Sequence, residues 1–190
     1  MRIGVLALQG DVREHAAAAI AAGAEPVLVR LPEDLEGIDA LVIPGGESTT
    51  IGKLADRFGL IEPLRRAIGG GLPTLGTCAG MIVLAAGTTE DRPQVQLGVL
   101  DVVVRRNAFG PQVASFEADL EVAGIEGSVR AVFIRAPWIE KIGAGVQVLA
   151  EVGGHPVMVR EGNVVATSFH QELTGDPRIH RLLLEMRGRV

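Results

Sequence analysis

A mainly parallel α/β sheet covered by helices is the fold class the sequence predicts, and three observations carry the prediction. Residues 3–8 form a continuous apolar run, the mark of a strand buried on both faces of a sheet. Short apolar runs then alternate with helical patterns through the N-terminal half. Residues 69–86, GGGLPTLGTCAGMIVLAA, read as a short strand, a turn holding the only cysteine, and a helix. At 190 residues the chain suits one domain over 1–190, long enough to bury roughly 70% of its unfolded surface.

Taken in order, the first strand is followed by Gln9, Gly10 and Asp11 as a turn. Residues 12–22 are alanine-rich and helical, closing at Gly23, a residue suited to a helix end. Residues 26–30 and 40–43 read as the second and third strands. In PGGESTT (44–50) the glycines allow close backbone approach, and Ser48 or Thr49 can cap a helix over 50–58. GGESTTIGKL is not a phosphate loop, because five residues separate Gly46 from Gly52 and Leu54 follows the lysine. A strand over 72–76 leads through Gly76-Thr77-Cys78-Ala79-Gly80 into a helix beginning near Gly80. Beyond Ala86 the pattern changes to six strand-like runs, at 99–104, 114–122, 129–134, 146–152, 157–160 and 164–169. Few helical patterns lie between them, so this half adds antiparallel strands to the parallel core. Glu161-Gly162-Asn163 reads as a hairpin turn. A helix over 177–186, with Ile179, Leu182, Leu183 and Met186 at helical spacing, closes the chain.

Composition removes several function classes. One cysteine excludes an internal disulfide, and without CxxC or HxxxH spacing no thiol-based metal site is indicated; a reducing cytoplasm is the simplest home. The N-terminal apolar run is too short for a signal segment and no stretch reaches membrane-spanning length, so a soluble, unanchored protein is expected. A net charge of −5, 3% aromatics and no tyrosine argue against nucleic-acid binding.

In parallel sheets ligands sit at the carboxyl ends of strands, which directs attention to the segments after Leu8, Ile43 and Gly76. Cys78 has two readings: a buried small hydrophobe, or the nucleophile of a sharp strand-to-helix elbow whose flanking glycines prevent collisions. In the second, the helix N-terminus favours the thiolate and nearby backbone N–H groups receive an oxyanion. The 44–50 loop is likewise either a capped helix start or the second oxyanion donor. A cysteine nucleophile needs a base, and the base an orienting acceptor. His15 in the first helix, His155 in a Gly-rich turn and His180 on the outward side of the last helix read as solvated. His170 ends an apolar strand, and in extended backbone Glu172 projects to the same side. The two are either a surface pair or a base with its acceptor. The order Cys, His, Glu after a central strand supports acyl transfer through a thioester.

GTCAG around Cys78 and HQE at 170–172 resemble the class I, or triad, glutamine amidotransferases. More narrowly, LALQGDVREH (6–15), PGGESTT (44–50), RRNAFG (105–110), FIRAP (133–137) and SFHQEL (168–173) together resemble the glutaminase subunits of pyridoxal 5′-phosphate synthases, over essentially the whole chain. The resemblance implies a single-domain, three-layer class I glutaminase fold that hydrolyses L-glutamine to L-glutamate. The ammonia would pass to a separate synthase subunit, a (β/α)8 barrel that builds the vitamin B6 cofactor from a pentose phosphate and a triose phosphate. By position, Cys78 is the nucleophile, His170 the base and Glu172 its orienter. Gly46, Glu47, Ser48, Arg106, Ile134 and Arg135 match glutamine-binding positions, and the arginine fork suits the substrate carboxylate. The backbone of Gly45 and Ala79 would hold the oxyanion, and the turn at Gln9 and Gly10 would respond to the partner. The glutaminase step needs no metal or organic cofactor; pyridoxal phosphate is a product of the complex. The family often has RNSFGRQ and FHPE, where this chain has Ala108, Pro111 and Gln171. Two other readings stand beside this one: the glutaminase of another synthase, and a non-catalytic regulatory subunit.

Overall fold

The computed structural model describes residues 1–90, 94–109 and 115–189. The N-terminal half runs β1 (Arg2–Leu6), α1 (Val12–Ala21), β2 (Glu25–Val29), β3 (Ala40–Ile43), α2 (Ser48–Arg57), α3 (Ile61–Gly69), β4 (Thr74–Thr77), α4 (Ala79–Leu84) and β5 (Ala85–Thr88). The second half adds β6 (Leu100–Arg105), β7 (Ser115–Glu121), β8 (Ser128–Ile134), β9 (Trp138–Ile142), β10 (Gln147–Val152), β11 (His155–Glu161), β12 (Val164–Thr167) and α5 (Arg178–Glu185). Short 3₁₀ turns occupy Pro32–Leu35, Gln171–Leu173 and Met186–Arg189.

Seven strands form the main sheet in the order β10-β11-β12-β4-β3-β1-β2. The five from β12 to β2 are parallel to their neighbours, and β11 runs antiparallel between β10 and β12. Successive side chains alternate between two buried faces, which is why each central strand reads as an unbroken apolar run. Ile3, Val5, Ala40, Val42, Leu75 and Val165 face a core shared with Ala19 of α1, Ile179 and Leu183 of α5, and the inner side of the β7–β8 hairpin. Leu6, Leu41, Ile43 and Ala166 face the opposite core, filled by α2, α3, α4 and the small sheet β5-β6-β9. The result is three layers, as the resemblance implies.

The structure departs from the sequence reading in four places. Only three of the six C-terminal runs join the main sheet, and the last of them, β12, joins it in parallel beside β4. The run at 99–104 pairs instead with β5 and β9, while those at 114–122 and 129–134 pair with each other as β7 and β8; Ala114 lies outside the described residues. Helix α3 was not expected; its Pro63 sits in the first turn, where a missing N–H costs nothing, and Leu64 and Ile68 are buried. Strands β5 and β9 were not expected either, since AAGT and a segment opening after Pro137 carry no strand signature. The hairpin joining β11 to β12 forms as expected, with Glu161 opposite Val164 and Gly162 at φ 55°. The carboxyl ends of β1, β3, β4 and β12 therefore stand side by side, each followed by a segment the sequence marks for chemistry.

Candidate active site

Cys78 stands between the last residue of β4 and the first of α4, at φ 49° and ψ −101°. A non-glycine residue at positive φ is strained, and here the surroundings fix it. Its N–H donates to the Thr167 carbonyl of β12 at 2.7 Å. A Cβ on Gly80 would collide with the Ile43 carbonyl oxygen at the end of β3, and one on Gly76 would press on the Gly80 backbone at 2.8 Å. The two glycines of GTCAG are thus required because β4, α4 and β3 meet at backbone distance. The turn lifts the sulfur to the rim of the sheet with 9% of the residue exposed.

His170 approaches Cys78 from the end of β12. Its backbone N–H donates to the Val132 carbonyl of β8 at 2.8 Å, and its Nδ1 lies 2.7 Å from Oε1 of the buried Glu172. The pair forms by a different local route from the one expected: Glu172 sits in the 3₁₀ turn Gln171–Leu173 rather than on extended backbone, and the turn folds its carboxylate back under the imidazole. A second carboxylate, Asp11 Oδ2, stands 3.2 Å from the same Nδ1. Burial by itself lowers the imidazole, but hydrogen bonds to Asp11, Cys78 and Glu172 outweigh it and push His170 up to about 12. Burial raises the Glu172 carboxyl, with its bond to His170 opposing. Nδ1 therefore holds its proton toward carboxylate, and Nε2 is left for the thiol and its substrate. Asp11, His170 and Glu172 bring three donor atoms within 4.8 Å of one another, but all three are engaged at one imidazole nitrogen.

These groups open onto a cavity of 460 Å³. Gly46, Glu47 and Ser48 line it from the loop after β3, Arg106 and Asn107 from the end of β6, and Ile134, Arg135 and Pro137 from the end of β8. Gln9, Ala79 and Ile82 complete the wall beside Cys78, His170 and Asp11. Arg106 pairs with Glu47 at 3.2 Å and reaches Gln94 Oε1 at 3.3 Å. Arg135 holds φ 42° as the chain leaves β8. The cavity thus combines a thiol, an imidazole, two guanidinium groups and two carboxylates, a set that suits an amino-acid zwitterion.

Residues 5–188 match the model of the SNO glutamine amidotransferase family. The chain belongs to this family. A pyridoxal 5'-phosphate synthase subunit PdxT from Parafrankia sp. (strain EAN1pec) is 62% identical over 187 residues, covering 97% of this chain and 92% of the relative. One from Frankia casuarinae is 61% identical over 186 residues, 97% and 94% of the two chains. A crystal structure of a glutamine amidotransferase, 55% identical, superposes with a TM-score of 0.94 over 98% of each chain.

Within this family member, two glycines of the expected site stand just behind the cavity lining, and one helix cap departs from the sequence reading. Gly45 does not line the cavity: its carbonyl accepts from the Asp11 N–H at 3.1 Å, and its Cα backs onto the His170 ring. Helix α2 is capped by Glu47, whose carboxylate accepts from Thr49 N–H at 3.2 Å and Thr50 N–H at 2.8 Å, rather than by Ser48 or Thr49. Those bonds outweigh burial and hold the Glu47 carboxyl below its usual range. Gly10, at φ 102°, sits outside the lining but packs on Gly45, while the Gln9 side chain accepts from Glu47 N–H at 2.7 Å. Ala108 donates its N–H to Ala136, joining the ends of β6 and β8; Pro111 lies outside the described residues.

Sequence reasoning missed Asp11, read only as a turn, and misplaced two histidines. His15 and His180 are both fully buried rather than solvated: α1 and α5 share the core on one face of the main sheet, and the two rings meet at 3.1 Å. His155 is half-buried at the start of β11 and stacks on Trp138 with ring centroids 3.6 Å apart. Nothing in the sequence links His15 to His180, which lie 165 residues apart.

Proposed function

We propose that this family member is the glutaminase subunit of a pyridoxal 5′-phosphate synthase, a single amidotransferase domain over 1–190 working through a triad of Cys78, His170 and Glu172. The observation that carries the reading is the held geometry around Cys78: a thiol at positive φ on the wall of a cavity that His170 also lines, with the imidazole Nδ1 resting on a buried carboxylate at 2.7 Å. The Cys78 thiolate attacks the side-chain amide carbon of glutamine, forming a C–S bond and an oxyanion. The Ala79 N–H beside the nucleophile, with a backbone N–H of the 45–47 loop, receives that oxyanion. His170 delivers its proton to the departing nitrogen as the C–N bond breaks, releasing ammonia and leaving a glutamyl thioester. It then takes a proton from water, which attacks the thioester to give glutamate and free thiol.

Arg106 and Arg135 suit the substrate α-carboxylate, Glu47 suits its α-ammonium group, and Gly46, Ser48 and Ile134 shape the remaining wall. Ammonia goes to a synthase subunit of (β/α)8 barrel fold in the cytoplasm. Gln9 and Gly10 are the groups that respond to that partner, since they bridge the loops after β1 and β3. The test is glutamate release from glutamine by the full chain with its synthase subunit. Cys78→Ala is expected to abolish release while leaving the two subunits associated in a pull-down; undiminished release by the variant would end the triad assignment.

A further inference from the structure

Behind Glu172, away from the cavity lining, lies a second group of buried polar side chains. Nε2 of His15 on α1 is 2.9 Å from Thr77 Oγ1 of β4 and 3.5 Å from Glu172 Oε1. Its Nδ1 is 3.1 Å from Nε2 of His180 on α5. His15, His180 and Thr77 are all fully buried. The other titratable group near His15 is His170, on the far side of Glu172, whose charge opposes charging of His15.

The proton positions follow from the partners. A neutral imidazole carries one N–H. Facing an ionised carboxylate, Nε2 of His15 holds that N–H, because a lone pair there would be repelled. Nδ1 is then an acceptor, and His180 must donate to it from Nε2. This leaves His180 Nδ1 as a bare lone pair, and Nδ1 is the atom without a partner among the described residues. The alternative tautomers would strand a buried N–H at that position, the more costly orphan. Oε2 of Glu172 is also without a partner among the described residues, so the side chain's contacts to His170 and His15 both fall on Oε1.

We propose that His15 and His180 are positioning residues of the glutaminase reaction, a neutral two-histidine brace that bonds Thr77 at the end of β4, sets the His15 Nε2 edge 3.5 Å from Glu172 and keeps that carboxylate against His170. The proposal rests on the triad reading above. Loss of the brace lets the Glu172 carboxylate turn from His170, so the His170 imidazolium gives up its proton at lower pH.

The experiment measures kcat, KM and the pH profile of glutamate release by the full chain with its synthase subunit. His15→Leu is expected to lower kcat about tenfold or more, as losses of outer hydrogen bonds that orient a functional group do. KM should hold within about twofold and the basic limb of kcat/KM should move to lower pH. His15→Gln, whose amide places an N–H near the position of Nε2, should restore most of both. A folded His15→Leu with the kcat and basic limb of the parent chain, or a loss that His15→Gln does not recover, overturns the brace. If His15→Leu does not fold, His180→Leu replaces it: a basic limb shifted to lower pH supports the proposal and an unshifted limb overturns it. Glu172→Gln in the same assay separates the two readings. Full activity of Glu172→Gln removes the triad itself, whereas an impaired Glu172→Gln beside an unimpaired His15→Leu removes the brace alone.

Discussion

A Cβ on Gly45 would run into Cε1 of His170 and stand 2.8 Å from Asp11 Oδ2, with no flexible chain end to give way on the imidazole side. Gly45→Ala is therefore expected to displace the base, lowering kcat by about tenfold or more while the thermal midpoint changes little. An equal fall in midpoint and activity would show that the glycine serves folding instead. The charge at His170 supplies a second prediction at this scale. Its high pKa depends on acceptors at Nδ1, and under the proposed triad the thioester-forming step needs the imidazolium as proton donor. Replacing an acceptor by an amide lowers the folded pKa, so the basic limb of the rate profile moves down in pH. Glu172→Gln, at 2.7 Å, should move it further than Asp11→Asn, at 3.2 Å. A basic limb that stays in place in both variants would mean that another group sets it.

Elements place these residues, and one of them is held from its far end. Arg178 at the start of α5 donates to the carbonyls of Glu126 and Ser128, each at 2.6 Å, and pairs with Asp176. These bonds pin the β7–β8 turn, and the other end of β8 carries Ile134 and Arg135 into the cavity. Arg178→Ala should cost about 1–3 kcal/mol of stability, the range for lost charge-assisted bonds, and raise KM for glutamine more than it lowers kcat. A KM equal to that of the parent chain would show that β8 holds its place without the clamp. Strands such as β1, β3 and β12 were legible in the sequence because burial on both faces leaves a continuous apolar run. The end of α1 was legible too: Gly23 at φ 88° donates to Ile20 while Ala24 donates to Ala19, the paired bonds a glycine stop makes. Cys78, His170 and Glu172 stood out because each lies within a short motif. Asp11 and His15 did not, because their partners arrive from remote parts of the chain: a turn and an amphipathic helix look alike whether or not another element is waiting beneath them.

Across the whole molecule, the buried histidines give stability a direction in pH. Burial holds His180 down at about 4 and His15 well below the ordinary imidazole value, so both are neutral in the folded chain at pH 7. The unfolded chain takes up protons on these rings below about pH 6.5, whereas the folded one does not. The stability they confer is therefore complete above that pH and is lost as pH falls toward the folded pKa. For His180 the loss down to pH 4 is on the order of 3 kcal/mol. The thermal midpoint of the parent chain should fall more steeply between pH 7 and 4.5 than that of His180→Leu; parallel curves would show that other groups govern acid unfolding.

The sheet order has a further outcome for how activity appears during synthesis. Cys78 follows β4 and His170 follows β12, adjacent strands made at very different times, and the hydrogen bond from Cys78 to Thr167 cannot exist until β12 has been translated. The His15–His180 contact spans 165 residues and closes only when the last helix docks on the first. A chain not yet translated through β12 thus carries Cys78 without His170 beside it, and under the proposed triad it breaks down no glutamine.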